Sequence, residues 1–220
     1  MTSTSDRTVI ELDAARAARS SPAVRPATWP ELPKLATALA RAFQDDPVLA
    51  WIVPDPDGRR RVLPEFFGLV ADTLQPYGRV YRDGLGSAGA LWVPPGRPVV
   101  QEDQAGAFAA RAADIIGPDA ERGAAISEVI DAHHPNQPHA YLWYLGVAPE
   151  ARNRGLGANM LAPMLARCDR DGTPAYLEAT SVRSRAFYQR HGFAVVDALS
   201  VPGGPPVWPM WREPARSPAP

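Results

Sequence analysis

A glycine-bearing loop between a strand and a helix is the stretch of this sequence best suited to chemistry. Residues 141–147 form an apolar run typical of a buried strand, and Gly155 and Gly157 open a segment with apolar residues at helical spacing. The first N–H groups of a helix have no partner within it, and glycine lets the backbone approach a ligand closely. This turn therefore predicts an anion site of the phosphate type, to which Arg152 and Arg154 add charge and donors.

Two common phosphate-binding loops do not fit this spacing. The chain has no Gly-x-x-x-x-Gly-Lys-Ser/Thr segment, and its only lysine is Lys34, so a P-loop is excluded. The dinucleotide fingerprint needs a third glycine where Met160 stands. An ordinary strand-to-helix turn with surface arginines is the alternative. Pro163 argues against an unbroken helix after the loop, because proline inside a helix removes a hydrogen bond.

Three other features contain residues that could act in catalysis or binding. Glu178 lies within an apolar strand, where a carboxylate needs a partner or takes a raised pKa; a structural, hydrogen-bonded acid is the alternative. His133, His134 and His139 are interrupted by prolines that break regular ligand spacing, so they are interpreted as turn residues or a substrate-side group, with no metal predicted. Trp51 lies in a turn-rich loop, where it either packs on the core or lines a substrate pocket.

The composition predicts a globular protein with a real core. The chain has 220 residues, 45% of them hydrophobic, and a formal net charge of −1, so nucleic-acid binding as its main role is not expected. A single cysteine, Cys168, cannot form an internal disulfide or a cysteine-based zinc site. No apolar segment has the length of a secretory signal or a membrane span. A cytoplasmic location is therefore predicted.

Helical and strand periodicities alternate along the chain between two polar tails. Residues 1–22 are predicted to be a disordered tail, and residues 214–220 a proline-rich tail. The first helix presents Leu32, Leu35, Leu39 and Phe43 on one face, and the second is expected to turn Val62, Phe66, Leu69 and Val70 inward. Helices are predicted at about 29–43, 57–75, 103–116, 119–132, 156–169 and 183–191, with a loop at 44–57; strands are predicted at 23–28, 78–83, 87–94, 141–147, 175–180, 193–199 and 207–212.

Two motifs in the second half of the chain resemble the GNAT superfamily of N-acetyltransferases. Arg152-x-x-Gly155-x-Gly157 after a strand is similar to the loop that binds the pyrophosphate of acetyl-CoA in that superfamily. Phe187-Tyr188 followed by Gly192-Phe193 resembles its second signature. The two motifs occur in order and at a compatible spacing, which is more specific than either alone.

Within the superfamily, the chain most resembles the puromycin N-acetyltransferase group. The matching pieces include residues 24–28, 133–142, 174–178 and 202–210. Ser184 departs from the pattern, because related sequences usually have asparagine there to bind the CoA arm. Serine is shorter, so this contact is in doubt.

The resemblance implies an α+β fold with an α/β/α arrangement. Its sheet is mixed, mostly antiparallel and twisted, with about seven strands, flanking helices and a central parallel pair that splays apart. A single domain is expected at residues 23–213. Its acceptor-binding half would be 23–138, with a helical insert at 103–132, and its acetyl-CoA-binding half would be 139–213.

The resemblance also implies transfer of an acetyl group from acetyl-CoA to the primary amine of a small molecule, by direct attack in a ternary complex. The acceptor could be an aminonucleoside or another antibiotic-like amine. Tyr188 would protonate the leaving thiolate, and Glu178 would deprotonate the amine, with His134 or His139 as alternatives. The implied cofactor-binding residues are Leu145, Gly146, Val147, Arg152, Asn153, Arg154, Gly155, Leu156, Gly157, Ala158, Ser184, Phe187, Tyr188 and Arg190; the implied acceptor contacts are Trp51, His134, His139 and Trp143.

Two non-catalytic interpretations stay open at the level of sequence. One is a regulatory module that binds acyl-CoA without turnover. The other is a scaffold that dimerises through its aromatic C-terminal strand. A monomer or homodimer is expected, with no metal and no nucleic-acid or membrane partner.

Overall fold

A seven-stranded mixed sheet organises the chain. The computed structural model describes residues 23–215, so the predicted tail at 1–22 and residues 216–220 lie outside the described part. The strands are β1 (Arg25–Pro26), β2 (Val80–Arg82), β3 (Ala88–Val93), β4 (Ala140–Val147), β5 (Ala175–Ala179), β6 (Ala194–Val195) and β7 (Trp208–Arg212). Their order across the sheet is β1-β2-β3-β4-β5-β7-β6, and β4–β5 is the parallel pair among antiparallel neighbours. The predicted fold class is confirmed.

Helices cover both faces of this sheet. They are α1 (Leu32–Ala42), α2 (Pro47–Ile52), α3 (Pro56–Leu74), α4 (Ala105–Ile116), α5 (Ala120–Ala132), α6 (Leu156–Asp171) and α7 (Val182–Gln189). Helices α1 to α5 contribute to one apolar cluster with strand residues such as Leu91, Tyr141 and Tyr176. Helices α6 and α7 contribute to a second cluster that contains Trp92 and Leu177. Alternate strand residues thus enter opposite cores, as the period of two requires.

Helix α1 crosses the sheet over a pair of glycines. Gly89 of β3 and Gly146 of β4 are register partners. A Cβ atom on Gly146 would lie 2.8 Å from the Cβ of Ala42, and one on Gly89 would lie 2.4 Å from a methyl carbon of Leu35. Side chains at these positions would push the helix away. The glycine pair therefore sets how closely the end of α1 approaches β4.

The parallel strands β4 and β5 separate soon after they meet. Their partners are Ala140 with Ala175 and Tyr141 with Tyr176, and the pairing ends there. On the other edge of β4, Leu91 pairs with Tyr144 and Trp92 with Leu142, so Trp143 is an extra residue in a β-bulge. A bulge bends its strand and redirects side chains. The result is a gap beside residues 142–147 whose backbone groups on that edge have no strand partner.

Three details of the predicted elements are corrected by the structure. The predicted loop at 44–57 contains the six-residue helix α2, which is too short for a periodicity signal. The fully buried apolar residues of α3 are Leu63, Phe67, Val70, Ala71 and Leu74. Of the residues predicted to point inward, Val70 is buried, Val62 and Phe66 are only partly buried against the same core cluster, and Leu69 is half-buried. The strand predicted at 193–199 forms only as β6, because the chain leaves the sheet before a single bridge between Leu199 and Val207.

Helix α6 runs through Pro163 without ending. Pro163 is exposed, and its neighbours Leu161 and Met164 are buried against the sheet. The carbonyl group that loses its helical partner therefore faces the solvent side, where water can bond it. Within residues 23–215, no helix combines the length and apolar character that crossing a lipid bilayer requires.

Candidate active site

The gap between β4 and β5 opens into a cleft of about 950 Å³. Its walls come from the ends of α1 and β5, the free edge of β4, the glycine-bearing loop, the start of α6, and α7. The structure brings most of the predicted site residues into this cleft, namely Trp143, Leu145, Gly146, Val147, Arg152, Asn153, Gly155, Leu156, Gly157, Ala158, Glu178, Ser184, Phe187, Tyr188 and Arg190. Arg154, Trp51, His134 and His139 do not line it.

One end of the cleft presents a run of unpaired backbone donors. Asn153 and Gly155 both have positive φ, at 62° and 75°, and Gly155 caps the start of α6. Within the described residues, the N–H groups of residues 153–158 donate to no protein atom, and the first bonded amide is that of Asn159, 3.1 Å from the carbonyl oxygen of Gly155. Successive amides around left-handed residues form a concave anion site, and the helix dipole adds positive potential.

Phe187 lies over this end of the cleft and explains why residue 157 is a glycine. A Cβ atom there would lie 3.1 Å from the Cζ of Phe187 on α7. Phe187 packs in turn on His191, with ring centroids 4.7 Å apart. Glycine therefore lets α7 close on the start of α6 while the amides stay accessible from the cleft.

Glu178 reaches the cleft from β5 as a nearly buried acid. Its side chain is 6% exposed, and its Oε2 accepts a hydrogen bond of 2.7 Å from the Tyr141 hydroxyl. Its Oε1 is buried with no hydrogen-bond partner among the described residues. Burial raises the pKa of Glu178 to about 7, because the hydrogen bond from Tyr141 offsets only part of the lost hydration. The group can therefore exchange a proton near neutral pH.

Tyr188 lies on α7 at the opposite wall. It is 8% exposed and lines the cleft. Burial first, and the nearby carboxylate of Asp46 second, raise the pKa of its phenol above the ordinary value. The hydroxyl is therefore protonated at neutral pH. The cleft thus combines a carboxylate that can accept a proton with a phenol that can donate one.

Comparison with known proteins identifies the family. Residues 89–193 match the model of the Acetyltransferase (GNAT) family. A solved structure from Corynebacterium glutamicum, named histone acetyltransferase HPA2 and related acetyltransferase, is 30% identical, with a TM-score of 0.66 over 90% of this chain and 99% of that one. The chain belongs to the GNAT family of acetyltransferases. The predicted enzyme class, an acyl-CoA-dependent N-acetyltransferase, is confirmed by this membership.

Two further similar proteins match less of the chain or at lower identity. An uncharacterised N-acetyltransferase of Schizosaccharomyces pombe is 30% identical over 59 residues, which are 27% of this chain and 24% of that protein, so the chain matches about a quarter of its length. The polyamine N-acetyltransferase of Drosophila melanogaster is 20% identical, with a TM-score of 0.59 over 86% of this chain and 98% of that one. That level of identity shows a shared fold alone. The resemblance to the puromycin N-acetyltransferase group stays a prediction.

The two arginines of the GNAT loop differ in placement. Arg152 donates from Nε to the carbonyl oxygen of Val147 at 3.2 Å and from Nη2 to that of Ala42 at 2.8 Å. It therefore ties the loop to β4 and α1. Arg154 is exposed outside the cleft. Arg183, which the sequence analysis did not select, lines the cleft and donates to the side chain of Asn153 at 3.4 Å.

Ser184 of this GNAT chain uses its hydroxyl to cap its own helix. The Oγ of Ser181 accepts from the amide of Ser184 at 3.0 Å, and the Oγ of Ser184 donates to the carbonyl oxygen of Ser181 at 3.0 Å. This capping box starts α7. The hydroxyl already has a partner, which is consistent with the doubt raised by its short side chain.

The four predicted acceptor contacts fall in different places. Trp143 lines the cleft and packs on Phe108 of α4, with ring centroids 6.0 Å apart. Trp51 packs against the first core cluster, and the Arg122 guanidinium lies 5.8 Å from its ring centre. Of the two alternatives for Trp51, the structure therefore shows packing on the core. His134 lies beside Glu178, and His139 packs on the ring of His134; neither lines the cleft.

Asp46 is a cleft residue that the site prediction missed. Its Oδ1 accepts from the amides of Val48 and Leu49 at 3.0 and 3.2 Å, which starts α2, and its Oδ2 accepts from the hydroxyl of Thr180. Burial outweighs these hydrogen bonds and raises its pKa. The pair Asp46-Pro47 is a helix-start signal, because aspartate caps and proline suits the first turn. The sequence therefore contained the signal for the start of α2, although not for the position of Asp46 in the cleft.

Aromatic and acidic side chains gather at the same end of the cleft as Glu178. Phe43 and Tyr144 pack edge to face, with ring centroids 5.6 Å apart. Both line the cleft, as do Asp45 and Asp46. This end is therefore suited to a molecule with an apolar body and a positive charge. Among the described residues, no group of three or more His, Cys, Asp or Glu side chains is arranged to hold a metal ion.

Proposed function

We propose that this GNAT chain transfers an acetyl group from acetyl-CoA to the primary amine of a small molecule within a ternary complex. The observation that carries the proposal is a single cleft with unpaired amides at 153–158 and two proton-transfer groups, Glu178 and Tyr188. The proposal includes one domain at residues 23–213, with acceptor-binding and acetyl-CoA-binding halves divided near residue 139.

The residues of the cleft fit the cosubstrate that the GNAT family uses. The unpaired amides of residues 153–158 match the oxygens of a diphosphate. Arg183 on α7 and Arg190, just after its end, line the same cleft and add positive charge to it. The free edge of β4 at Leu145 and Val147 can accept and donate hydrogen bonds, as it would to an added strand. Acetyl-CoA supplies the activated acetyl thioester when bound.

Two side chains of this chain move protons in the proposed reaction. The carboxylate of Glu178 takes a proton from the ammonium group of the acceptor, which frees the nitrogen lone pair for attack on the acetyl carbon. A C–N bond forms and the C–S bond breaks. The hydroxyl of Tyr188 gives its proton to the departing thiolate, and the phenolate takes up the second proton that the attacking nitrogen loses on becoming a neutral amide. Unpaired N–H groups on β4 can stabilise the negative charge that develops on the acetyl oxygen.

The acceptor class follows from the lining at the Glu178 end. The carboxylates of Asp45, Asp46 and Glu178 favour a cation, and the rings of Tyr144 and Trp143 favour an apolar or aromatic body. We therefore propose a small amine that is positively charged at neutral pH. The resemblance to the puromycin N-acetyltransferase group makes an aminonucleoside one candidate. Polyamines and agmatine, after which two solved acetyltransferases of similar fold are named, are others.

An amine panel assayed with acetyl-CoA tests the proposal. Puromycin, tryptamine, agmatine, spermidine and a lysine peptide are each mixed with the protein, free thiol release is followed, and products are identified by mass spectrometry. We expect at least one amine to yield an N-acetyl product with stoichiometric thiol. Tight CoA binding with no product from any amine would instead support a regulatory acyl-CoA module. No thermal shift with acetyl-CoA would support a scaffold.

A further inference from the structure

A cluster of titratable side chains extends from Glu178 away from the cleft. His134 lies in the loop before β4, and its Nδ1 is 3.9 Å from Oε1 of Glu178. Its ring packs on Tyr141 and Tyr176, with centroids 4.8 and 5.1 Å away. Its side chain is 30% exposed, whereas that of Glu178 is 6% exposed. The cluster therefore connects a buried cleft acid with a side chain that reaches solvent.

Two buried polar atoms in this cluster lack partners. Oε1 of Glu178 and the hydroxyl oxygen of Tyr176 make no hydrogen bond to other described residues. Unpaired buried polar atoms are costly, so native proteins usually satisfy them, with water where no protein group is in reach. The 3.9 Å separation of His134 from Glu178 is too long for a direct hydrogen bond. The Tyr176 hydroxyl lies close enough to Glu178 to lower its pKa, and a water or a small rotation of the imidazole would connect His134 to Oε1.

We propose that His134, acting through Glu178, carries the acceptor's proton out of the cleft to solvent. The inference rests on the proposed acetyl transfer and adds the route by which Glu178 is reset. After Glu178 takes the proton of the ammonium group, its Oε1–H gives that proton to Nδ1 of His134, directly or through a water. The imidazolium then releases a proton to bulk water, exchange with solvent returns the ring to the tautomer whose Nδ1 is free, and Glu178 is again ionised. The net result is one proton moved from the amine to solvent.

The charges around the two groups are compatible with this route. Glu178 is faced by Tyr141 and Tyr144 from β4, Tyr176 from β5, Asp131 from α5, and His134. Burial, and then the neighbouring His139, lower the pKa of His134 to about 4. At neutral pH the imidazole is therefore uncharged and has a nitrogen free to accept a proton. Because its pKa lies below that of Glu178, the transfer to His134 is uphill, and the imidazolium is a short-lived species that passes its proton on to solvent.

His139 is less suited to the same role. It is buried, and its Nδ1 lies 2.7 Å from the carbonyl oxygen of Gln137. Its ring packs on Trp211 and on His134. The partial exposure of His134 makes it the member that can exchange with water.

The test compares His134→Ala with His133→Ala. His133 is the matched control, because it is exposed at the end of α5, bonds the carbonyl oxygen of Val129 at 2.8 Å, and does not face Glu178. With an amine that the wild type acetylates, we expect kcat of His134→Ala to fall about tenfold to a hundredfold at pH 7, a range at the low end for lost acid–base groups. KM for acetyl-CoA should change less than about twofold, since the CoA end is distant, and His133→Ala should keep wild-type kcat.

Rescue by small bases separates proton transfer from a merely structural role. Imidazole and methylimidazoles should restore activity of His134→Ala in an order that follows their pKa values, and the defect should shrink as pH rises toward the pKa of the amine. Wild-type kcat in His134→Ala would overturn the inference, and so would a loss of kcat that neither pH nor added base changes. An inactive wild type would instead refute the proposed function, so the two failures are distinguishable.

Discussion

The hydroxyl of Thr180, at the end of β5, donates a hydrogen bond to Oδ2 of Asp46, the residue that starts α2. These residues are 134 positions apart in the chain and line the same cleft. The other oxygen of Asp46 caps α2, so one carboxylate joins a helix of the first half to a strand of the second half. The contact therefore fixes the distance between the two cleft walls that carry Asp46 and Thr180.

Thr180→Val removes this contact and is expected to destabilise the fold. The isosteric change leaves a largely buried carboxylate oxygen without its donor, which typically costs about 1–3 kcal/mol. Urea unfolding at pH 7 measures the free energy of unfolding. The matched control is Thr37→Val, which removes a hydroxyl bonded to Pro33 on the exposed face of α1 and should change stability by about 0.5 kcal/mol or less. Equal effects of the two changes would contradict this role of the pair.

Gly157→Ala should weaken CoA binding selectively. The added Cβ would lie 3.1 Å from Phe187, so either α7 or the first turn of α6 must shift, which disturbs the amides of residues 153–158. We expect about a tenfold loss of CoA affinity by isothermal titration calorimetry, or about 1.4 kcal/mol. Gly106→Ala on α4 is the control, because a Cβ there meets no atom within 4 Å. Unchanged affinity in Gly157→Ala would count against diphosphate binding at this turn.

Tyr188→Phe should separate turnover from binding. The change removes the hydroxyl and keeps the ring that packs on Phe187 and Phe193. We expect kcat to fall about a hundredfold, with CoA affinity within about twofold of wild type, because only the proton donor is lost. Tyr77→Phe, which loses a hydroxyl bonded to Pro98 outside the cleft, should keep its kcat. A Tyr188→Phe variant with full activity would mean that another donor protonates the thiolate.

Glu178 should give the reaction a pH dependence near neutrality. Its pKa is raised to about 7, and the amine is deprotonated only by the ionised form, so kcat/KM should rise with pH and level off above that value. Glu178→Gln should lower kcat about a hundredfold at pH 7 and remove this limb of the profile. The exposed Glu128→Gln change is the control and should keep the wild-type profile. If kcat/KM of Glu178→Gln still rises with pH up to about 7 as in the wild type, a group other than Glu178 is the base.

Glu178→Gln should also stabilise the folded protein at high pH. A carboxyl group whose pKa rises from 4.5 to about 7 on folding binds a proton more tightly in the folded state. Its contribution to stability is therefore lost as pH rises from about 4.5 to 7, which opposes folding above that window. Since glutamine stays uncharged, Glu178→Gln should gain about 2–3 kcal/mol above pH 7 and little below pH 4.5. Equal stability at both pH values would contradict the raised pKa.

The sequence predicted the second half of the fold well because its signals are local. The strand before the loop has a continuous apolar run, and Gly155 and Gly172 mark both ends of α6 with left-handed backbone. Gly192, with φ of 86°, likewise follows the end of α7. These residues determine where elements start and stop with little help from distant contacts. The parallel pairing of β4 and β5 then follows from the crossover helix between them.

The Glu178 end of the cleft was harder to predict because it depends on contacts between residues far apart in the sequence. Nothing near Asp46 in the sequence indicates that Thr180 donates to it. Trp51 and Trp143 both pack against the first core cluster, yet only Trp143, the extra residue of the β4 bulge, also lines the cleft. Arg152 has the charge of an anion ligand, but its donors reach carbonyl oxygens from β4 and α1. Contacts of this kind form only in the folded structure, between segments that are distant in the sequence.

The most direct test of the central claim follows the backbone amides of residues 153–158 by NMR as acetyl-CoA is added. If these unpaired N–H groups bind the diphosphate, their resonances should shift strongly with acetyl-CoA and with CoA. Acetyl-pantetheine, which has the thioester but no diphosphate, should shift Leu145 and Val147 and leave residues 153–158 largely unchanged. If saturating acetyl-CoA shifts the resonances of Leu145 and Val147 but leaves those of residues 153–158 unchanged, these amides do not bind the diphosphate and the central claim is contradicted.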